Sequence, residues 1–288
     1  MIFRNLLLSL ILASIVSTCD PNKQSDNTSE SHNITAVSHS LVLASDIKWE
    51  PLNPARGDQS PRAGTLWGDR NGSEPTGFLV KFAEGFSSPP HIHNITYKGV
   101  VIHGLIHNDD PTAENMWMAS GSFWTQPAGE PHITAAKAEE NMAFIEIEKG
   151  PYLVKPTDEA FDKGEKPINV DVSNLVWVDL AVKHATKQPA KVAYLWSKAK
   201  DDHLNGSLLK LPAGFKGEIQ SSDSTFRAVV IQGHPLYRAT KKEKAVALEA
   251  GSYFSSEGEF AHQLSTENDG ESILYIRSRG KFELVEAQ

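Results

Sequence analysis

Along the chain, apolar residues come in short runs between turn-forming ones and seldom fall at helical spacing. Gly77 to Phe82, Tyr97 to Ile106, Met116 to Met118 and Met142 to Ile147 are rich in β-branched or aromatic side chains and are bounded by Gly, Pro, Asn and Asp. That is the pattern of strands joined by tight turns. No window holds apolar residues at i, i+3, i+4 and i+7 for three turns, so the predicted fold class is all-β, a sandwich or a barrel.

The pattern also repeats. Leu66-Trp67 recurs as Leu195-Trp196, Gly77 as Gly206, Lys81 as Lys210 and Gly85-Phe86 as Gly214-Phe215, all at an offset of 129 residues. Val100-Val101-Ile102-His103-Gly104 then matches Val229-Val230-Ile231-Gln232-Gly233, and with one residue inserted Gly121-Ser122-Phe123 and His132 match Gly251-Ser252-Tyr253 and His262. Self-similarity over this length marks a duplicated domain. The stretch Pro156 to Lys166, rich in Asp, Glu, Lys and Gly, marks the join, so residues 46–160 and 161–288 are expected to form two tandem domains.

Ahead of them, Arg4 precedes the run Leu6 to Val16, apolar apart from Ser9 and Ser14, which reads as an export signal over residues 1–18. The run is shorter than the roughly 20 residues a bilayer requires. Its end carries the chain's one cysteine, Cys19, after Ser17 and Thr18. This resembles the lipobox of bacterial lipoprotein precursors, with Thr18 departing from the usual Gly, Ala or Ser. The resemblance implies an acylated Cys19 on an exported periplasmic or cell-envelope lipoprotein that meets the membrane through that lipid alone. Residues 19–45 are expected to be a flexible tether, since Asp20 to Ser40 is mostly Ser, Asn, Thr and Asp with few large apolar side chains. Net charge is -8 and no basic stripe exists, which excludes nucleic acid as a partner. A homodimer is among the assemblies the reading admits.

Candidate chemistry is confined to the first repeat. His91 and His93 stand at i and i+2, so on a strand both face one way and can share an ion. A third ligand has to come from elsewhere, and the turn Pro127-x-Gly129 just before His132 is a way to bring it across. A lone His-x-His pair is ordinarily two surface histidines. His103 and His107 are poor candidates for a fourth ligand, and Trp117 and Trp124 read as core.

Gly85, His91, His93 and Gly104, then Gly121, Pro127, Gly129 and His132, resemble the two motifs of the cupin superfamily. Tyr97 stands where that family's glutamate ligand usually stands, and Ala136 replaces the closing asparagine. The resemblance covers residues 46 to 288 and is nearest to a bacterial group of tandem cupins without an assigned function, with some likeness to the metal-binding cupin of anti-sigma factors. It implies two double-stranded β-helix (jelly-roll) barrels, and His91, His93 and His132 holding one divalent transition metal: Fe, Zn, Ni, Mn or Cu. Tyr97 is then read as a neutral phenol hydrogen-bonded to a metal-bound water, because its unperturbed pKa is about 10.

Three imidazoles without a carboxylate leave such an ion near its full charge, which favours a small anionic chelating partner. The reading that follows is an oxidoreductase of the three-histidine dioxygenase type. Metal-dependent binding or sensing without turnover, and a metal-assisted isomerase or lyase, are the alternatives. In the second repeat Gln220, Ser222 and Phe226 stand in place of His91, His93 and Tyr97, leaving His262 alone. Glu257 and Glu259 replace Pro127 and Gly129, and these with Glu218 are the acids that could rebuild a different site; the second domain is expected to hold no metal.

Overall fold

A computed structural model describes residues 38–183, 188–198, 204–221, 225–240, 243–268 and 270–287. The expected signal segment, Cys19 and Ser222 lie outside these described residues. The fold is an all-β jelly roll, with no α-helix among the described residues. Two seven-stranded sheets have the same strand order. The first runs Ile168–Val170, Phe123–Gln126, Tyr97–His103, Asn141–Ile147, Thr76–Phe82, Arg62–Trp67, Glu50–Pro51. The second runs His39–Val42, Tyr253–Ser256, Phe226–Gln232, Ser272–Arg279, Leu204–Leu211, Lys191–Lys198, Val178–Asp179.

Each half lends its first strand to the other. His39–Val42 pairs with Tyr253–Ser256, and Ile168–Val170 pairs with Phe123–Gln126. The last part of the segment expected to be a tether is therefore a paired strand.

The strands read as unbroken apolar runs because both of their faces are buried. Along a strand, neighbouring side chains point to opposite faces. Phe78, Val101 and Ile145 fill the first barrel with Trp124, whereas their neighbours Leu79, Val100 and Phe144 join Leu208, Val229 and Tyr275 in a core between the two large sheets. The second barrel has its own core, including Leu209, Phe226, Phe254 and Leu274.

The repeated tryptophans and glycines build the junction. The register shifts at Leu66 and again at Leu195, which lays the following tryptophan across a neighbouring glycine. A Cβ on Gly77 would sit 2.2 Å from the Trp67 ring, and one on Gly206 2.1 Å from Nε1 of Trp196. Trp67 stacks on Tyr253 of the other half at 4.9 Å, and Trp196 Nε1 donates to the Tyr275 hydroxyl at 3.0 Å.

Two of the expected strands differ. Tyr97 to Ile106 breaks at Gly104, whose φ of +80° turns the chain from Tyr97–His103 into Ile106–Asp109 on the opposing side of the barrel. Met116 to Met118 contributes a single bridge, Met118 to Ile106.

Candidate metal centre

His91 and His132 oppose each other on antiparallel backbone, each N–H donating to the other's carbonyl at 3.0 Å. Directly opposed residues of such a pair share a face. His93 adds a third imidazole to that face by strand alternation. The turn that returns the chain is tied down where it is needed, because Gly129 N–H donates to the His93 carbonyl at 2.8 Å. Ring centroids are 4.3 Å apart for His91 and His132, 5.0 Å for His91 and His93, and 5.3 Å for His93 and His132. His93 and His132 are buried and His91 is half-buried.

The donor chemistry fits a metal ion. Nδ1 of each ring meets a backbone carbonyl: Pro89 at 2.9 Å for His91, Leu153 at 3.1 Å for His93 and Glu130 at 3.1 Å for His132. A carbonyl only accepts, so Nδ1 carries the proton in all three and each Nε2 presents a lone pair, the arrangement in which outer hydrogen bonds orient metal-binding histidines. One ligand nitrogen from each ring lies within 4.8 Å of the others, close to the roughly 4 Å that two metal–nitrogen bonds span. Burial, reinforced by His132 and His91, holds His93 well below the ordinary imidazole value, and burial with His91 lowers His132 to about 3. Near neutral pH these rings are uncharged and able to ligate.

Two phenols close over the cluster. Tyr97 hydroxyl donates to Asn108 Oδ1 at 2.8 Å and lies 3.3 Å from His132 Nε2. Asn108 is itself fixed, accepting from Thr134 Oγ1 at 2.8 Å and donating to Gln126 Oε1 at 2.9 Å. Tyr152 stacks on His93 at 4.3 Å and places its hydroxyl 3.2 Å from His93 Nε2. Burial pushes both phenols well above their ordinary range, so neither is a phenolate.

Tyr152, Asn108 and Arg56, which shares the cavity, carry no motif and are missed by sequence reasoning. Of the residues weighed in the sequence, His103 is exposed, while His107 is buried against Trp117 with its ring 6.0 Å away. Trp124 is core, as expected, but it also lines the cavity beside the histidines, a volume of about 130 Å³.

The second barrel holds no equivalent cluster among the described residues. His262 is buried between the Tyr237 hydroxyl, 3.0 Å from Nδ1, and the Ser256 hydroxyl, 3.1 Å from Nε2, with the Phe226 ring stacked at 4.9 Å. Gln220 donates to Glu218 at 3.3 Å, Glu257 pairs with Arg227 at 3.6 Å and Glu259 is exposed, so none of these acids joins His262.

Residues 40–285 match a family described as a domain of unknown function, DUF4437. The chain belongs to this family. No curated protein matches it. Solved structures that share the fold include a provisionally assigned dioxygenase from Nostoc punctiforme, 13% identical, with 87% of each chain covered and a TM-score of 0.64. Vicilin from hazelnut, Corylus avellana, is 11% identical over 85% of this chain and 87% of its own, with a TM-score of 0.56. A single-residue variant of oxalate decarboxylase from Bacillus subtilis is 11% identical over 85% of this chain and 78% of its own, with a TM-score of 0.54. At these identities the likeness establishes the cupin fold and leaves activity to the residues of the site.

Proposed function

We propose that this DUF4437 chain is a tandem cupin whose first barrel binds one divalent transition metal through His91, His93 and His132 and acts on a small anionic substrate as a three-histidine, dioxygenase-type oxidoreductase. The observation that carries this reading is the shared tautomer: three neutral rings with every Nδ1–H given to backbone and every Nε2 turned toward the cluster as a lone-pair donor, that of His93 meeting only the Tyr152 hydroxyl at 3.2 Å and that of His132 only the Tyr97 hydroxyl at 3.3 Å. A bound ion would supply a Lewis acid with open positions and, if redox-active, a route for electrons. The protein's own part is to hold the ligands, exclude water with apolar walls and keep two neutral phenols at hydrogen-bonding range of whatever sits there. Among the described residues no acid lines the cavity, which disfavours an isomerase or lyase needing a carboxylate base.

The test is elemental analysis of protein from its native host, followed by oxygen uptake with enolizable and catecholic carboxylates. One metal per chain is expected, lost in the variant carrying both His91→Ala and His93→Ala and kept in His262→Ala. Two metals per chain would overturn the reading; metal without oxygen uptake would favour metal-dependent binding without turnover. The same proposal places the barrels outside the cytoplasm on an acylated Cys19. Cys19→Ala should then release the chain from membranes, and an unmodified Cys19 thiol in soluble wild-type protein would refute the anchor.

A further inference from the structure

Arg56 lines the histidine-lined cavity, and among the described residues no carboxylate pairs with it. Arg70 pairs with Glu50, Arg227 with Glu257 and Arg277 with Glu148. Arg56 has no such partner among the described residues, yet it lines the same cavity as His91 and His93 and is half-buried, its guanidinium carbon 5.3 Å from the centre of the Phe86 ring.

Its position is built. Within the segment Pro54–Gln59, Arg56 N–H donates to the Asn53 carbonyl at 3.0 Å and Ser60 N–H to the Gly57 carbonyl at 3.1 Å. The Ser60 hydroxyl accepts from Asn53 N–H at 2.8 Å, and Leu52 N–H closes the loop on the Pro61 carbonyl at 2.8 Å. Gly57, at φ 57° and ψ -134°, lies where only glycine rests without strain. The loop thus fixes where the Arg56 side chain starts, the Phe86 ring lies beside its guanidinium, and the planar guanidinium fork matches a planar anion.

We propose that Arg56 is the anion-recognising residue of this site and that the cavity takes a small monocarboxylate with an apolar, ring-sized body, its carboxylate on Arg56 and its far end toward the three histidines. This rests on the reading of the first barrel as the reactive one. Three features select the class. A single guanidinium without a lysine among the lining residues suits one carboxylate better than a phosphate dianion. Leu52, Val80, Phe82, Trp124 and Ile145 line the same cavity, which disfavours a polar body. A volume of about 130 Å³ is room for about four waters at roughly 30 Å³ each, and a cavity of about that size takes one benzene-sized ring, so the apolar body is limited to a single ring with its carboxylate reaching to Arg56.

The experiment is calorimetric titration of the full chain, zinc-loaded and metal-free, with phenylacetate, its neutral amide phenylacetamide, and acetate. Zinc is chosen because it is redox-inert and excludes turnover. Wild type is expected to bind phenylacetate at least about tenfold more tightly than either comparison compound, the size of one good charge-assisted pair. Arg56→Gln should erase the preference for phenylacetate over phenylacetamide while keeping zinc stoichiometry and amide affinity. Arg56→Lys should keep part of it, and unchanged thermal unfolding of both variants removes misfolding as the cause. Equal affinity of wild type for acid and amide, an unchanged preference in Arg56→Gln, or no binding of either would overturn the proposal. The unchanged preference would mean that the carboxylate sits on the metal instead. Failure of zinc to bind, with the Arg56-dependent preference intact in metal-free protein, would sink the metal reading and leave this one standing.

Discussion

His262 and His132 occupy the same place in the two repeats and show how neighbours decide what a buried imidazole does. His132 has two other histidines on its face of the barrel and meets at Nε2 a Tyr97 hydroxyl whose proton goes to Asn108, whereas His262 has no other imidazole in such a cluster among the described residues and sits between the Tyr237 and Ser256 hydroxyls. Burial, then the nearby His39, lowers His262 to about 3, so the folded chain keeps it neutral where an unfolded chain protonates it near 6.5. Its stabilising effect is therefore fully present above about pH 6.5 and is lost as pH falls toward 3, at up to about 1.4 kcal/mol per pH unit. Urea unfolding of His262→Gln between pH 7 and pH 4 should show a shallower loss of stability with acid than wild type. An identical slope would mean that His262 is not held neutral by the fold.

At the scale of elements, the exchanged first strands are the feature that composition conceals. His39–Val42 is mostly exposed, and only its pairing with Tyr253–Ser256, Leu41 opposite Phe254, makes it a strand. A chain beginning at Val37 should unfold at the wild-type temperature. One beginning at Ala44 leaves the Tyr253–Ser256 edge open and should unfold several degrees lower, at about 2–4 °C per kcal/mol lost in a domain of this size, with a greater tendency to self-associate through that edge. Equal melting temperatures for the two truncations would show that the strand contributes nothing.

Across the whole molecule, the two halves are joined by a charge cluster that straddles their apolar junction. Arg277 of the second half reaches Glu148 at 2.8 Å and Glu146 at 3.6 Å in the first, where Lys98 also lies 3.1 Å from Glu148 and 3.8 Å from Glu146. Burial raises the Glu146 carboxyl. Burial would raise Glu148 too, but Lys98, Arg277 and Lys198 outweigh it and bring Glu148 down to about 2. Removing one member of a buried cluster leaves the others uncompensated, so Arg277→Leu should cost about 3–5 kcal/mol in urea unfolding. Adding Glu146→Leu should recover much of that loss, since the remaining pair of Lys98 and Glu148 is satisfied. Strictly additive losses would show that Arg277 and Glu146 do not act on each other.

The all-β class, the duplication and the three histidines are legible in the chain alone, because each is written locally: strand runs between turn residues, a constant offset, and a His-x-His with a turn before its third partner. The repeat also held the junction without saying so. Leu79, Phe144 and Trp67 recur as Leu208, Tyr275 and Trp196 because they meet one another across the two large sheets, and an offset cannot tell shared packing within a barrel from packing between barrels. Which residues close around the histidines is settled in three dimensions. Tyr152 is 59 residues from His93 and Asn108 is 11 from Tyr97, and their roles come from hydrogen bonds that exist only once the chain has closed on itself. Arg56 is the extreme case. A lone arginine in a Pro-Gly segment reads as solvated surface, and what distinguishes it is a relation in space, a half-buried cation lining the histidine cavity with no acid paired to it among the described residues.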